Sequence, residues 1–116
     1  MTAGPKIVQQ SIAESTARIV LAIPRDLEWF DGHFPHAPVV PGVVQLKWAV
    51  EHAQRCFAIA AAVKGIEVLK FQRAIGPQTE VTLTLDYSTP RGKVSFSYES
   101  DQGRHSSGRI VLSASS

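Results

Sequence analysis

His33 stands in the stretch covering residues 29–47, WFDGHFPHAPVVPGVVQLK. Pro35, Pro38 and Pro41 follow it at a spacing of three, and a Pro41-Gly42 step then leads into the longest apolar helix candidate in the chain. Each part has a chemical use. An imidazole titrates near neutrality and can take a proton as a general base. The first N–H groups of a helix lack intrahelical partners and sit at the positive end of its dipole, so they hold negative charge. Prolines fix their own φ and push each preceding residue toward extended conformations. A segment this stiff can hold one imidazole beside a helix N-terminus with little entropy to lose on binding. The order of parts suits a base and an anion-binding amide acting on one substrate.

The elements that must position these groups follow from patterning. Residues 1–10 are weakly patterned and read as frayed chain or a short edge strand. Residues 16–24 (TARIVLAIP) alternate in part and are rich in β-branched side chains, giving a first strand that Pro24 ends. Asp26 is a possible N-cap for one helical turn over 26–30, and Asp31-Gly32 is a turn signal. The helix is predicted over Gly42 to about Val63. Leu46, Ala49, Val50, Ala53, Phe57 and Ala60 share one face at helical spacing, while Gln45, Glu51, His52 and Arg55 fall off it. Lys64-Gly65 is the expected stop, with Gly65 at C′. Four strands are then predicted over 66–75, 79–88, 93–100 and 105–114, separated by Gly-, Pro- and Asp-containing turns. Their period-two patterns argue an antiparallel meander with one buried face. The expected fold class is α+β, one long central helix wrapped by an antiparallel sheet. Residues 1–116 are expected to form a single domain.

Composition narrows the function classes. Net charge is +2, with no basic run interleaved with aromatics, so no nucleic acid partner is expected. Cys56 is the one cysteine. It can form no internal disulfide, no Cys/His set has zinc spacing, and no metal site is expected. A buried, inert thiol fits a reducing cytoplasm. The N-terminus lacks the apolar core of a signal peptide. The longest unbroken apolar run, residues 56–63, is far short of the roughly 20 residues a membrane span needs. A cytoplasmic protein without a membrane span is expected. The core available at this size is modest, so dimerisation would add useful burial.

The stretch GHFPHAPVVPGVVQLKWAVEHA resembles the signature of hotdog-fold (3R)-hydroxyacyl-[acyl carrier protein] dehydratases of fatty-acid synthesis. Within them it looks like the stand-alone dehydratases of aryl polyene gene clusters. IEVLKFQRAIGP is similar to the family's strand after the central helix, and the strand–loop–helix–meander order matches over most of the chain. The Gly-His-Phe-Pro step followed by Pro-Gly-Val is a specific combination, where a lone Gly-His pair would not be. The resemblance implies a hotdog fold and loss of water from a 3-hydroxyacyl thioester to give the trans-2-enoyl product. It implies that His33 takes the C2 proton and that the Gly42 N–H, with Val43 beside it, binds the thioester carbonyl. Phe34 would line an acyl channel. The substrate would arrive on acyl carrier protein or as a CoA thioester, bringing its phosphopantetheine arm, with no separate cofactor. The family's active sites lie between two subunits, one giving the His and the other an acid. A homodimer follows, or a heterodimer with another hotdog protein.

The family's acid is a Glu or Asp on the helix, and the matching position here is Lys47. An ammonium can donate a proton to a departing hydroxide, but it accepts no hydrogen bond and cannot hold water as a carboxylate does. Glu51 lies one turn on, where it can pair with Lys47. Lys47 also sits about 100° from the centre of the apolar face, where a solvated flank residue is the plain alternative. Three functions are therefore ranked. The first is a dehydratase with His33 as base, Gly42 as oxyanion donor and Lys47 as substitute acid. The second is a non-catalytic or partner-dependent hotdog subunit that binds acyl thioesters while its partner supplies the carboxylate. The third is an acyl thioesterase, ranked last because such enzymes use a carboxylate on or near this helix to activate water. His36, His52 and His105 are assigned no role, and Trp48 and Phe30 are read as packing groups. Arg73, Arg91, Lys93, Arg104 and Arg109 are read as strand-surface charge, with a carrier-protein docking patch as the alternative.

Overall fold

A computed structural model of the chain describes residues 4–24, 39–77 and 79–113. The order of elements is β1 (Lys6–Ile12), β2 (Thr16–Ala22), α1 (Gly42–Phe57), β3 (Val63–Phe71), β4 (Glu80–Ser88), β5 (Lys93–Ser100) and β6 (Gly103–Leu112). The strands form one antiparallel sheet in the order β1-β2-β4-β5-β6-β3. β2 and β3 flank the helix in sequence but lie apart in the sheet. The chain must therefore cross the sheet face between them, and α1 makes the crossing.

Alternation decides what faces the helix. β2 turns in Ala17, Ile19 and Leu21, β4 turns in Val81, Leu83 and Leu85, and β5 turns in Val94, Phe96 and Tyr98. From the helix, Val44, Trp48, Ala49 and Ala53 close over them. Burying each large apolar side chain contributes about 1.5–3 kcal/mol. This is the α+β arrangement expected from the sequence.

Several local expectations change. The helix ends at Phe57, not near Val63. Ala58 adopts φ 51 and ψ 44, the left-handed region, and Ala58 N–H and Ile59 N–H both bond back to the Gln54 carbonyl. An alanine there costs about 1 kcal/mol relative to glycine. The turn folds Ile59 and Ala61 back against the core, whereas a helix continuing through CFAIAAAV would have carried apolar side chains outward on every side. Gly65 is therefore not a C′ residue; it lies inside β3, which covers Val63–Phe71 in place of 66–75. The weakly patterned start is an edge strand, β1, exposed along its length.

The buried face of α1 is also rotated from the expected one. Gln45, placed off the face by its polarity, is 4% exposed, and Val44 and Trp48 join it inside. Two strands are irregular. β3 carries register shifts at Val63/Gly65 and Glu67/Lys70, and Val68 within it has φ 48. In β6, Ser106 pairs with Tyr98 while Arg104 pairs with Glu99, which leaves His105 as an extra residue. A bulge of this kind re-aims a side chain. Here it turns two consecutive residues, His105 and Ser106, into the interior.

The turn signals at 26–32, together with Phe30, His33, Phe34 and His36, lie outside the described residues.

Candidate functional site

The chain enters α1 through Pro41, whose φ of −59 and ψ of 146 are extended. The Pro41 carbonyl accepts from Val44 N–H at 3.0 Å and Gln45 N–H at 3.1 Å, which are the first bonds of the helix. Gly42 and Val43 precede those donors, so their N–H groups belong to the unpaired first turn. No acidic side chain occupies that turn, so no carboxylate of α1 competes for its positive end.

A cleft of about 440 Å³ opens beside Gly42. Val39, Val40 and Gln45 line one side; Phe71, Gln72, Arg73 and Ala74 line the other. Gly42 permits a close approach. A Cβ there would lie 2.6 Å from the Phe71 ring, so only glycine lets the ring lie over the helix start. Phe71 is 52% exposed on the edge strand β3.

The sequence-predicted residues separate at this point. Gly42 lies at the cleft. Val43 is exposed, as are Lys47 and Glu51; four-residue spacing puts the three on one outward stripe of α1. Lys47 is thus on the same helix as Gly42 but not in the wall of its cleft. His33 and Phe34 lie outside the described residues.

A set of buried polar groups, of which only Gln45 had been placed off the buried face, links the elements around the cleft. Gln45 Nε2 donates to the Val40 carbonyl at 3.0 Å, and the Ser106 hydroxyl donates to Gln45 Oε1 at 2.7 Å. The Tyr98 hydroxyl donates to the Gln45 backbone carbonyl at 2.7 Å. Burial pushes the Tyr98 phenol far above its usual range, with the Glu51 charge adding to it, so this donor stays protonated. His105, assigned no role from the sequence, is 1% exposed. Its Nδ1 faces the Ala74 carbonyl at 3.1 Å and its Nε2 the Ser100 hydroxyl at 2.7 Å. One signal was available: Gln45, Ala49 and Ala53 recur at four-residue spacing, which places the glutamine on the buried stripe.

His52 is half-buried on α1 and accepts a hydrogen bond from Arg55 Nη2 through Nδ1 at 3.0 Å. Burial first, then the Arg55 charge, lowers its pKa below the ordinary 6.5, against a smaller opposing effect of Glu51. The unfolded chain therefore binds this proton first as pH falls. Stability from His52 is present above about 6.5 and is lost as pH falls toward the lower folded value. The urea midpoint is expected to drop between about pH 7 and about pH 5.5, and His52→Gln to make that drop smaller.

Cys56 is half-buried, and burial raises its thiol pKa, which disfavours the nucleophilic thiolate. Lys93 and Arg109 bond to Glu67 at 2.7 and 3.1 Å, and those bonds hold the Glu67 carboxyl below its usual range. Both cations are thereby engaged on the sheet surface. A larger hollow of about 810 Å³ lies between outward-facing residues including Arg18, Thr82, Thr84 and Glu99. It touches neither the helix start nor its amides and is not the candidate site. Among the described residues, no group of His, Cys, Asp and Glu is placed to hold a metal. No described helix is long and apolar enough to cross a membrane.

Comparison with known proteins agrees with this fold. Residues 9–109 match the family described as ApeI-like, ApeI dehydratase. The fold superposes on a chain of the dehydratase heterocomplex ApeI:P from Xenorhabdus doucetiae with a TM-score of 0.90 and 32% identity, covering 96% of this chain and 99% of that one. An uncharacterized protein from Erwinia carotovora subsp. atroseptica superposes with a TM-score of 0.84 and 32% identity, over 94% and 95% of the two chains. Among curated relatives, the 3-hydroxyacyl-[acyl-carrier-protein] dehydratase FabZ of Erythrobacter litoralis (strain HTCC2594) is 31% identical over 84 residues, covering 58% of this chain and 50% of that protein. The FabZ of Chlamydia pneumoniae is 33% identical over 69 residues, covering 52% and 45%. The chain spans about half the length of the curated relatives it matches.

Proposed function

The chain belongs to the ApeI-like dehydratase family, and on that premise we propose that it removes water from a 3-hydroxyacyl thioester carried by acyl carrier protein. The observation that carries this reading is Gly42, at the start of α1 and in the lining of a cleft, the glycine that the resemblance assigns to the thioester carbonyl. His33 takes the proton from C2. The electrons left on C2 delocalise to the thioester oxygen, where the Gly42 N–H, with Val43 beside it, holds the charge. The C3–O bond then breaks, the double bond forms between C2 and C3, and the departing hydroxide takes a proton from Lys47 to leave as water. The resemblance assigns Phe34 to the acyl channel. No separate cofactor enters, since the phosphopantetheine arm comes with the substrate. The direct test supplies a 3-hydroxyacyl carrier protein and follows absorbance of the enoyl product. Thioester hydrolysis fits less well, because among the described residues the cleft wall holds no carboxylate to activate water.

The site is completed by a second subunit in this reading. β3 is a sheet edge, and Val68, Leu69 and Phe71 on it are exposed, as is Val43 on α1. An unpaired edge with apolar side chains is a template for another chain. Lys47, on the outward stripe, would then serve a site other than the one beside its own Gly42.

A second reading is favoured by the residue at 47 together with the likeness to a heterocomplex chain. Here a different hotdog partner supplies a carboxylate, and this subunit alone turns nothing over. Lys47→Met separates the two. Under the first reading, native mass spectrometry shows a homodimer, and Lys47→Met lowers its kcat by at least about tenfold. A homodimer whose turnover ignores that substitution removes Lys47 from the chemistry. A preparation that turns over only after a second hotdog protein is added establishes the partner-dependent reading.

A further inference from the structure

We infer that Gln45 is a positioning residue for the Gly42 amide, and that the bulge carrying His105 and Ser106 on β6 is the anchor from which it works. The catalytic consequence rests on the dehydratase reading given above; the structural one does not.

The cleft beside Gly42 has two walls, and β6 holds both. On the helix side, Val40 is fixed at both ends of its peptide groups. Its N–H donates to the Ile75 carbonyl at 2.8 Å, and its carbonyl accepts from Gln45 Nε2 at 3.0 Å. Only Pro41 separates Val40 from Gly42, and proline allows almost no rotation about φ. Fixing the Val40 carbonyl therefore leaves only ψ of Pro41 to set the plane that carries the Gly42 N–H, and the bonds from Val44 N–H and Gln45 N–H to the Pro41 carbonyl hold that angle. Gln45 is itself oriented without ambiguity. A carbonyl only accepts, so the amide nitrogen must face Val40 and the amide oxygen must face the Ser106 hydroxyl.

On the opposite side, the His105 carbonyl accepts from Gln72 N–H at 2.8 Å and Arg73 N–H at 3.1 Å. The His105 ring faces the Ala74 carbonyl through Nδ1 at 3.1 Å, which assigns the ring hydrogen to that nitrogen and leaves Nε2 to accept from Ser100. Adjacent residues of one bulge thus tie down adjacent walls of one cleft. A helix that needed only packing at position 45 would be served by an apolar side chain of similar volume. Gln45 brings a donor and an acceptor into the interior, and each has a partner. Leaving either unmatched in the interior is unfavourable, so the network favours one arrangement of the helix start.

The experiment compares wild type with Gln45→Met, Gln45→Glu and Ser106→Ala, on the full chain and a 3-hydroxyacyl carrier protein. Methionine fills the space without either hydrogen bond. Its expected effect is a kcat lower by roughly ten- to a hundredfold with KM held within about twofold. Glutamate keeps the shape, but it donates to the Val40 carbonyl only when protonated. The ratio of its kcat to that of wild type at the same pH is expected to approach one at low pH and to fall as pH rises while far-UV circular dichroism shows the folded fraction unchanged, which separates lost positioning from the instability of a buried carboxylate. If Gln45→Met does not fold, Ser106→Ala takes its place, with the same fall in kcat and the same constancy of KM. Wild-type kcat at every pH in these variants, or a loss that follows melting temperature with no pH dependence in Gln45→Glu, overturns the inference. If wild type itself shows no turnover, the dehydratase reading fails separately. The positioning is then read from the Gly42 amide resonance: displacement in Gln45→Met and titration with pH in Gln45→Glu support it, and an unmoved resonance overturns it.

Discussion

His33→Ala is expected to lower dehydration of a 3-hydroxyacyl carrier protein by roughly two to four orders of magnitude, the usual contribution of a positioned base. The C2 proton of a thioester is weakly acidic, and without a base only solvent remains to take it. The melting temperature should stay close to that of wild type, because the sheet is held on α1 by side chains such as Ile19, Leu83, Trp48 and Tyr98. Added imidazole should restore part of the rate, since the missing group is a small diffusible base. His33→Gln, which keeps a polar side chain without the basic ring nitrogen, should be as slow as the alanine variant. Turnover at the wild-type rate in both variants would remove His33 from the mechanism, whatever the rest of the site does.

The second large effect is expected from Gly42→Pro, measured against Gly42→Ala. Both substitutions add a Cβ, which would lie 2.6 Å from the Phe71 ring. That ring is half-exposed at the sheet edge, so it can swing aside, and the displacement is common to both variants. They differ in the amide. Alanine keeps the N–H; proline removes it. Proline is well tolerated at the first helical position, where the N–H has no helical partner. Pro41 already has the extended ψ of 146 that a residue before proline needs. The fold should therefore survive. Gly42→Pro should turn over about 10²–10³-fold more slowly than Gly42→Ala, the effect of losing one oxyanion donor. Equal rates in the two variants would show that the thioester oxygen is held elsewhere.

The strands and the crossing helix were legible in the sequence because both are written as periodicity. TEVTLTLDYS and KVSFSYES alternate, and the corresponding strands bury alternate residues. The helix start was legible because proline and glycine are local signals. Its end was not. Ala58 takes a conformation that the residue type disfavours, and it does so because tertiary burial of Ile59 and Ala61 outweighs the local preference. The walls of the site were harder to read. Gln45 was placed off the buried face by its polarity; inside, its amide is matched by the Ser106 hydroxyl and the Val40 carbonyl. His105 lies off the alternating pattern because a bulge shifts that pattern by one, and a bulge depends on two strands together. Lys47 was legible as a departure from the family's acid, and it lies on the outward stripe of α1 with Val43 and Glu51.

The irregular geometry of β3 bears on a different hazard. A straight edge with exposed apolar side chains invites strand after strand to add, which is how fibrils grow. β3 exposes Val68, Leu69 and Phe71, but it is interrupted by two register shifts and by a valine at positive φ, a conformation that β-branched residues strongly resist. Only short lengths of it can lie flat against a neighbour. A matching bent edge can still close onto it once, while an extended segment from an unfolded chain finds no continuous ladder to copy. The kink therefore limits how far this apolar edge can template further strands.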